Sequence, residues 1–174
     1  MKKLLVVVDM QKDFVTGCLG TKEAREITEK LAEYAETFDG DVVFTRDTHG
    51  ENYPDTQEGK KLPVVHCIKG SDGWELVPEL AKAAEGKKIF DKPCFGSVEL
   101  AEYVKDNFGK GAAYDEIQLC GVCTGICVIS NALLIKAFAP EAVVKVLKDL
   151  CACVTPASHE NALQAMQTCQ IDIV

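Results

Sequence analysis

The chain has 174 residues, a formal net charge of −8 and 47% hydrophobic residues. It is expected to be one globular domain spanning residues 1–174, with enough apolar content for a buried core. The negative balance argues against a nucleic-acid partner, whose phosphates require basic surface, and no stretch is long enough to span a bilayer.

The elements are expected to alternate strand and helix along the chain. Leu4–Val8 is a continuous apolar run, as in a strand covered on both faces. Glu23–Phe38 carries Ile27, Leu31, Tyr34, Ala35 and Phe38 at helical spacing. Asp41–Thr45 reads as a second strand. Residues 46–73 are rich in Gly, Pro, Asp and Thr, and long irregular segments inside compact domains are usually functional. Trp74–Glu85 reads as a short helix with Trp74 packing on it, Lys88–Phe90 as a strand, Val98–Phe108 as a helix and Glu116–Leu119 as a strand. Thr124–Phe138 is an apolar, buried helix, Ala142–Leu147 a strand, Pro156–Thr168 a helix and Ile171–Val174 a terminal strand. Six strands alternating with helices predict an α/β fold, a three-layer doubly wound sandwich around a mostly parallel six-stranded sheet.

The opening Met1-Lys2-Lys3 and its short apolar run imitate an export signal. The run is too short for one and meets Asp9 and Asp13 with no small-residue cleavage site, so a cytoplasmic protein is expected. The nine cysteines are odd in number. Most, including Cys120, Cys151 and Cys153, are expected to be reduced, small, buried hydrophobes.

Asp9, Lys92 and Cys127 sit at or just past the ends of apolar runs: Leu4–Val8, Lys88–Phe90 and Ile117–Leu119. A parallel sheet delivers the C-terminal ends of neighbouring strands to one crevice. A carboxylate, an ammonium and a thiol would meet there as proton carrier, orienting cation and nucleophile, a set suited to covalent hydrolysis of an amide. Gly121-Val122-Cys123-Thr124-Gly125-Ile126-Cys127-Val128 follows a strand and opens a helix, with Thr124 as a good N-cap. Cys127 would then fall at the third helical position, where the helix dipole favours a thiolate and free N–H groups can hold an oxyanion. The plainer alternative is one more buried cysteine. Cys120-x-x-Cys123 fits redox or zinc spacing, but Cys120 lies in an apolar strand and no second pair completes four ligands.

Thr45-Arg46-Asp47-Thr48-His49 ends the second strand, and His66 follows in the same loop, so two of the three histidines lie there. Asp47, His49 and His66 could bind one divalent ion such as Zn, Mn or Fe, with Glu58 as a fourth ligand. The alternative is an Asp N-cap beside two solvated or hydrogen-bonded histidines.

Together these residues resemble the isochorismatase-like cysteine hydrolases, and within them the nicotinamidase-related members. Asp9-Met10-Gln11-Lys12-Asp13-Phe14, Phe90-Asp91-Lys92-Pro93 and Gly121-Val122-x-Thr124-x-x-Cys127-Val128 are similar to the family's opening motif, lysine segment and nucleophile turn. Asp47-x-His49 and His66-Cys67 match its metal-site motifs, and the likeness runs from about residue 3 to residue 170. The resemblance implies that Asp9 takes the thiol proton and later serves in hydrolysis, and that Lys92 holds Asp9 and the thiolate. It implies a cis peptide between Val122 and Cys123, which would aim the N–H of Cys123, with that of Cys127, at the oxyanion. It implies a small amide substrate and one divalent metal, and, for a nicotinamide hydrolase, a place in NAD salvage; a homo-oligomer is expected. The sequence departs from the family where Leu62-Pro63 stands in place of a Trp-Pro pair and Gly125 in place of an acidic or polar residue. Phe14, Phe95 and Leu62 are therefore the candidate ring contacts. Other small-amide or ureido hydrolysis, or a non-catalytic binding or redox protein on the same fold, are the rival readings.

Overall fold

The computed structural model describes residues 1–109 and 114–174. Six strands form one sheet in the order β3-β2-β1-β4-β5-β6: β1 (Lys3–Val8), β2 (Asp41–Asp47), β3 (Lys88–Lys92), β4 (Glu116–Val122), β5 (Val143–Ala152) and β6 (Asp172–Ile173). Every strand pair is parallel. Leu4 to Val8 of β1 are all fully buried, as expected for a central strand with both faces covered.

The helices are α1 (Lys12–Val15), α2 (Lys22–Thr37), α3 (Gln57–Lys61), α4 (Ala81–Ala84), α5 (Val98–Gly109), α6 (Ile129–Phe138) and α7 (Pro156–Thr168). Three of them begin on a capping threonine, among them α3, where Thr56 Oγ1 accepts from the N–H of Gly59. Thr21 Oγ1 accepts from the N–H of Ala24, and Thr155 Oγ1 accepts from that of Ser158 with Pro156 in the first turn of α7. α2 turns Ala24, Ile27, Leu31 and Ala35 inward and leaves its charges outside. It packs against α4, while α5, α6 and α7 pack in series. One contiguous apolar core joins sheet and helices. Among the described residues no helix is long and apolar enough to cross a membrane.

The strand bounds and the segment after Trp74 differ from expectation. The strands β2 to β5 run further than their apolar runs, and the extension places Asp47 and Lys92 side by side in the β2–β3 register. Trp74–Glu85 is not one helix: it is a 3-10 turn at Asp72–Trp74, a second at Pro78–Leu80 and the single turn of α4. Pro78 cannot donate the backbone bond that an interior helical position requires. Trp74 instead lies under the guanidinium of Arg46, 3.5 Å from its ring centroid, and donates from Nε1 to Thr48 Oγ1 at 2.8 Å. The loop 46–73 is irregular as expected, apart from a 3-10 turn at Tyr53–Asp55 and α3.

The chain order reverses between β1 and β4, and this switch point is where an open parallel sheet presents a crevice. Gly121 at its edge has φ +114°, and a Cβ there would stand 2.1 Å from the carbonyl oxygen of Val8. Only glycine lets β1 and β4 approach so closely at the point where their loops diverge.

Candidate active site

Asp9 leaves β1 in the left-handed region, φ +49°, which aspartate tolerates better than most residues. Its N–H donates to the Thr45 carbonyl at 3.2 Å, and its Oδ1 accepts from Thr45 Oγ1 at 2.6 Å. Oδ2 lies 2.6 Å from Lys92 Nζ, in charge contact but without an aligned hydrogen bond. From the end of β3 the same ammonium reaches Cys127 Sγ and Asp47 Oδ1, both at 3.5 Å, and donates to the Cys94 carbonyl at 3.2 Å. Asp9, Lys92 and Cys127 are 0%, 1% and 5% exposed, so these charges act with little screening by water.

Burial pushes the Asp9 carboxyl above its usual range, opposed by Lys92 and reinforced by Asp47. Burial also works against the Lys92 charge, but Asp9, Cys127 and Asp47 outweigh it and hold the ammonium firmly protonated. The Cys127 thiol is raised well above an ordinary cysteine by burial and by Asp9, with Lys92 pulling the other way. This runs against the expectation of a thiolate at the helix start: burial and the neighbouring carboxylates favour the protonated sulfur.

The nucleophile turn carries the expected cis peptide between Val122 and Cys123. Thr124–Val128 forms one π-helical turn before α6 begins. Thr124 is not the N-cap: Cys123 occupies that position, without a side-chain cap, and Thr124 Oγ1 pairs with His159 Nδ1 at 2.8 Å. The Cys123 carbonyl accepts from the N–H groups of Ile126 and Val128, at 3.0 and 3.1 Å, which flank Cys127.

Beside this centre, Asp47, His49, Glu58 and His66 bring one ligand atom each to within 4.8 Å of one another. Asp47 Oδ2 is 2.9 Å from His49 Nε2 and 3.5 Å from His66 Nε2, and Glu58 Oε1 is 3.7 and 3.9 Å from the same two nitrogens. Nδ1–H of His66 donates to the Val64 carbonyl at 2.7 Å, which turns Nε2 toward the cluster. Burial pushes Asp47 up, but hydrogen bonds from His49 and His66, with the Lys92 charge, outweigh it and hold the carboxyl well below its usual range. Burial lowers His66, while Asp47, Val64 and Glu58 raise it above the usual histidine value. Two imidazole nitrogens and two carboxylate oxygens at these separations fit a single first-row divalent ion.

A cavity of about 310 Å³ opens over both groups. Cys127, Asp47, Glu58 and His66 line it, together with Phe14, Phe95 and Leu62, the three expected ring contacts. Leu19, Ile126 and Val154 add to a largely apolar wall, and Cys123 borders it beside Cys127.

The Isochorismatase domain profile matches residues 3–174. The chain belongs to the isochorismatase family. It is 29% identical over 173 residues to the nicotinamidase of Saccharomyces cerevisiae, covering 75% of this chain and 80% of that one. Among solved structures, it is similar to the pyrazinamidase of Pyrococcus horikoshii in complex with zinc, with TM-score 0.80, 29% identity and coverage of 100% and 99% of the two chains. It is also similar to the nicotinamidase/pyrazinamidase of Bacillus subtilis, with TM-score 0.84, 25% identity and full coverage of both.

In this isochorismatase-family chain, several side chains that hold the site in place carried no role in the sequence reading. Gln11, fully buried, donates from Nε2 to the carbonyls of Asp47 and Trp74, both at 2.9 Å, and its Oε1 accepts from the Asp47 N–H at 2.7 Å. Asp13 Oδ2 accepts from the N–H of Cys67 at 2.8 Å, next to His66. Asn131 donates to the carbonyls of Cys127 and Phe95, at 2.8 and 3.1 Å, and accepts from the Ser97 N–H at 2.9 Å. An asparagine in an otherwise apolar helix was the available signal for the last of these.

Proposed function

We propose that this chain is a metal-assisted cysteine amidohydrolase that converts nicotinamide, or a related small heteroaromatic amide, to the acid and ammonia. The observation that carries the reading is the position of Lys92. Its ammonium stands within 3.5 Å of Asp9, Cys127 and Asp47, so one buried charge joins the nucleophile centre to the metal-ligand cluster under a single cavity.

Thiol and carboxyl are both raised by burial, so proton transfer from Cys127 to Asp9 accompanies attack rather than preceding it. The Cys127 sulfur bonds to the amide carbon, and the N–H groups of Cys123 and Cys127 hold the oxyanion. Asp9 then returns the proton to the leaving nitrogen, ammonia departs and an acyl-thioester remains. Asp9 takes a proton from water as the water attacks the thioester, and the acid and the free thiol result. Lys92 keeps its charge throughout and steadies each anionic stage. A divalent ion held by Asp47, His49, Glu58 and His66 would supply a Lewis acid that orients the ring nitrogen or a water.

Ammonia release from a panel of amides, with nicotinamide and pyrazinamide first, tests the reading on protein loaded with Zn, Mn or Fe. Turnover of either supports it, and a full panel without release overturns it. Elemental analysis of protein purified without chelator is expected to give up to one divalent ion per chain. A second reading, hydrolysis of other small amides or ureido compounds, is favoured by the aliphatic share of the wall: Leu19, Leu62, Ile126 and Val154 leave ring contacts to Phe14 and Phe95.

A further inference from the structure

Two cysteines outside the reaction meet at the wall of the cavity. β4 and β5 pair Gly121 with Cys151 and Val122 with Ala152, so Cys123 and Cys153 are the next residues to leave the two neighbouring strands. At the paired positions just before them the strand backbones lie about 4.8 Å apart, so the two cysteines start near the roughly 4.4–6.8 Å Cα separation that a disulfide bridges. The two thiols act on one another, each shifting the proton affinity of the other. The pair also separates two openings. Cys123 borders the catalytic cavity, and Cys153 borders a second depression of about 210 Å³ with Thr155, Pro156 and His159. Small oxidants therefore have a route to one sulfur that does not cross the substrate site.

We infer that Cys123 and Cys153 form an oxidation site, where a hydroperoxide such as hydrogen peroxide joins them in a disulfide that stops turnover until a thiol reductant reopens it. The Cys153 sulfur attacks the peroxide, which is reduced to water as the O–O bond breaks, and sulfenic acid forms on Cys153. The Cys123 thiol attacks that sulfur, the S–S bond forms and a second water leaves. Each peroxide thus removes two electrons and two hydrogens from the pair.

The environment divides the labour between the two sulfurs. The Cys123 thiol beside it lowers the Cys153 thiol to about 5 against the cost of burial, and backbone groups of Gly125, Val154 and Thr155 add to the effect. Cys123 is correspondingly raised and keeps its proton. The Cys153 sulfur lies against the turn that carries Cys127, since a Cβ on Gly125 would stand in ordinary contact with Cys153 Sγ at 3.4 Å. The buried neighbours Cys120 and Cys151 offer a contrast. Both are raised by burial, and each thiol faces a strand carbonyl, of Val6 and Leu119, so neither carries thiolate character. Cys127 is likewise held as the thiol. A bridge from Cys123 to Cys153 pulls on the residue whose N–H faces the substrate carbonyl and on the turn that carries Cys127.

The test treats the metal-loaded enzyme with hydrogen peroxide, quenches with catalase, and reads turnover before and after dithiothreitol beside a cysteine-resolved peptide map. Wild type is expected to lose about tenfold or more of its turnover, to regain it on reduction, and to yield a Cys123–Cys153 peptide lighter by two hydrogens. Cys153→Ser and Cys153→Ala, which leave the proposed machinery intact, are expected to keep initial turnover but lose the recoverable component. A reversible loss accompanied instead by a Cys123–Cys127 or Cys120–Cys151 bridge overturns the inference, as does identical reversible loss in the Cys153 variants. The wild-type map alone decides whether the bridge forms, even where a variant folds poorly. Only its effect on turnover rests on the proposed amidohydrolase reading. An enzyme that bridges Cys123 to Cys153 but hydrolyses no amide retires that reading, not the oxidation site.

Discussion

The nucleophile centre and the metal-ligand cluster share a wall but are built differently. Asp9 directly follows β1, Lys92 ends β3 and Cys127 sits in the tight turn after β4, so the edge of the sheet places them. In the cluster only Asp47 belongs to a strand; His49, Glu58 and His66 come from a long loop and one short helix. That loop is moored by a few bonds: His49 N–H to the Cys67 carbonyl at 2.9 Å, Asp13 to Cys67, and the three bonds of Gln11. A centre set by the sheet edge should fail through its chemistry, leaving the fold intact. A cluster set by tethers should fail through its geometry, by degrees.

Cys127→Ala gives the largest effect. Loss of the covalent nucleophile is expected to lower kcat about 10³-fold or more with little change in melting temperature. Metal binding, read by equilibrium dialysis, should stay at the wild-type level, because Cys127 is not one of the four ligands. Turnover near wild type would remove the thiol from the mechanism. Lost metal binding would show that the two regions are one unit.

Asp9→Asn comes next. It keeps the shape, removes the proton acceptor and is expected to slow turnover by about 10²–10⁴-fold. It also leaves the buried Lys92 charge with Asp47 alone, and breaking a buried pair costs about 3–5 kcal/mol, so the melting temperature should fall as well. Alkylation of Cys127 against pH separates the two effects. The like-charge influence of Asp9 on the thiol disappears in the variant, so its alkylation profile should move to lower pH. Superimposed profiles would mean that Asp9 does not act on the sulfur.

Gln11→Leu probes the tethers. It deprives the buried N–H and carbonyl of Asp47, and the carbonyl of Trp74, of their partners, at about 1–3 kcal/mol for each unsatisfied group. Metal affinity is expected to fall about 10–100-fold, as for loss of other supports behind metal ligands. The residual turnover of the variant at saturating metal should approach wild type. A variant that binds metal normally but turns over slowly would place Gln11 with the nucleophile centre instead.

The same contrast explains what the sequence revealed. Strand-end residues were legible because apolar runs locate strands and a parallel sheet gathers their ends; that Asp9, Lys92 and Cys127 share one crevice followed from this, while their roles came from the family resemblance. The loop histidines were legible by residue type, but Gln11 and Thr45 were not, since their roles depend on partners across the sheet. Thr124 was read by a local capping rule that could not anticipate His159, which reaches it from α7. The dipole rule for Cys127 took no account of burial and of Asp9, properties of the assembled core that push the thiol up. Trp74 was assigned to a helix by its apolar neighbours, whereas its actual partner, Arg46, sits at the end of β2.

Leu62→Ala should give the smallest effect and tests the wall that joins the two regions. Leu62 is 38% exposed and follows α3, which carries Glu58; its N–H donates to the Glu58 carbonyl at 2.8 Å. The substitution keeps that backbone bond and removes only part of a half-buried apolar side chain. At about 25 cal/mol per Å² the loss should stay near 1 kcal/mol, equivalent to a KM raised up to about fivefold at unchanged kcat. That outcome makes Leu62 a surface against which the substrate ring rests in the ground state and the transition state alike. If kcat falls instead while KM holds, the side chain acts through Glu58 and belongs with the tethers. Titrating metal into the variant then decides the matter, because a tether defect weakens metal affinity and a wall defect does not.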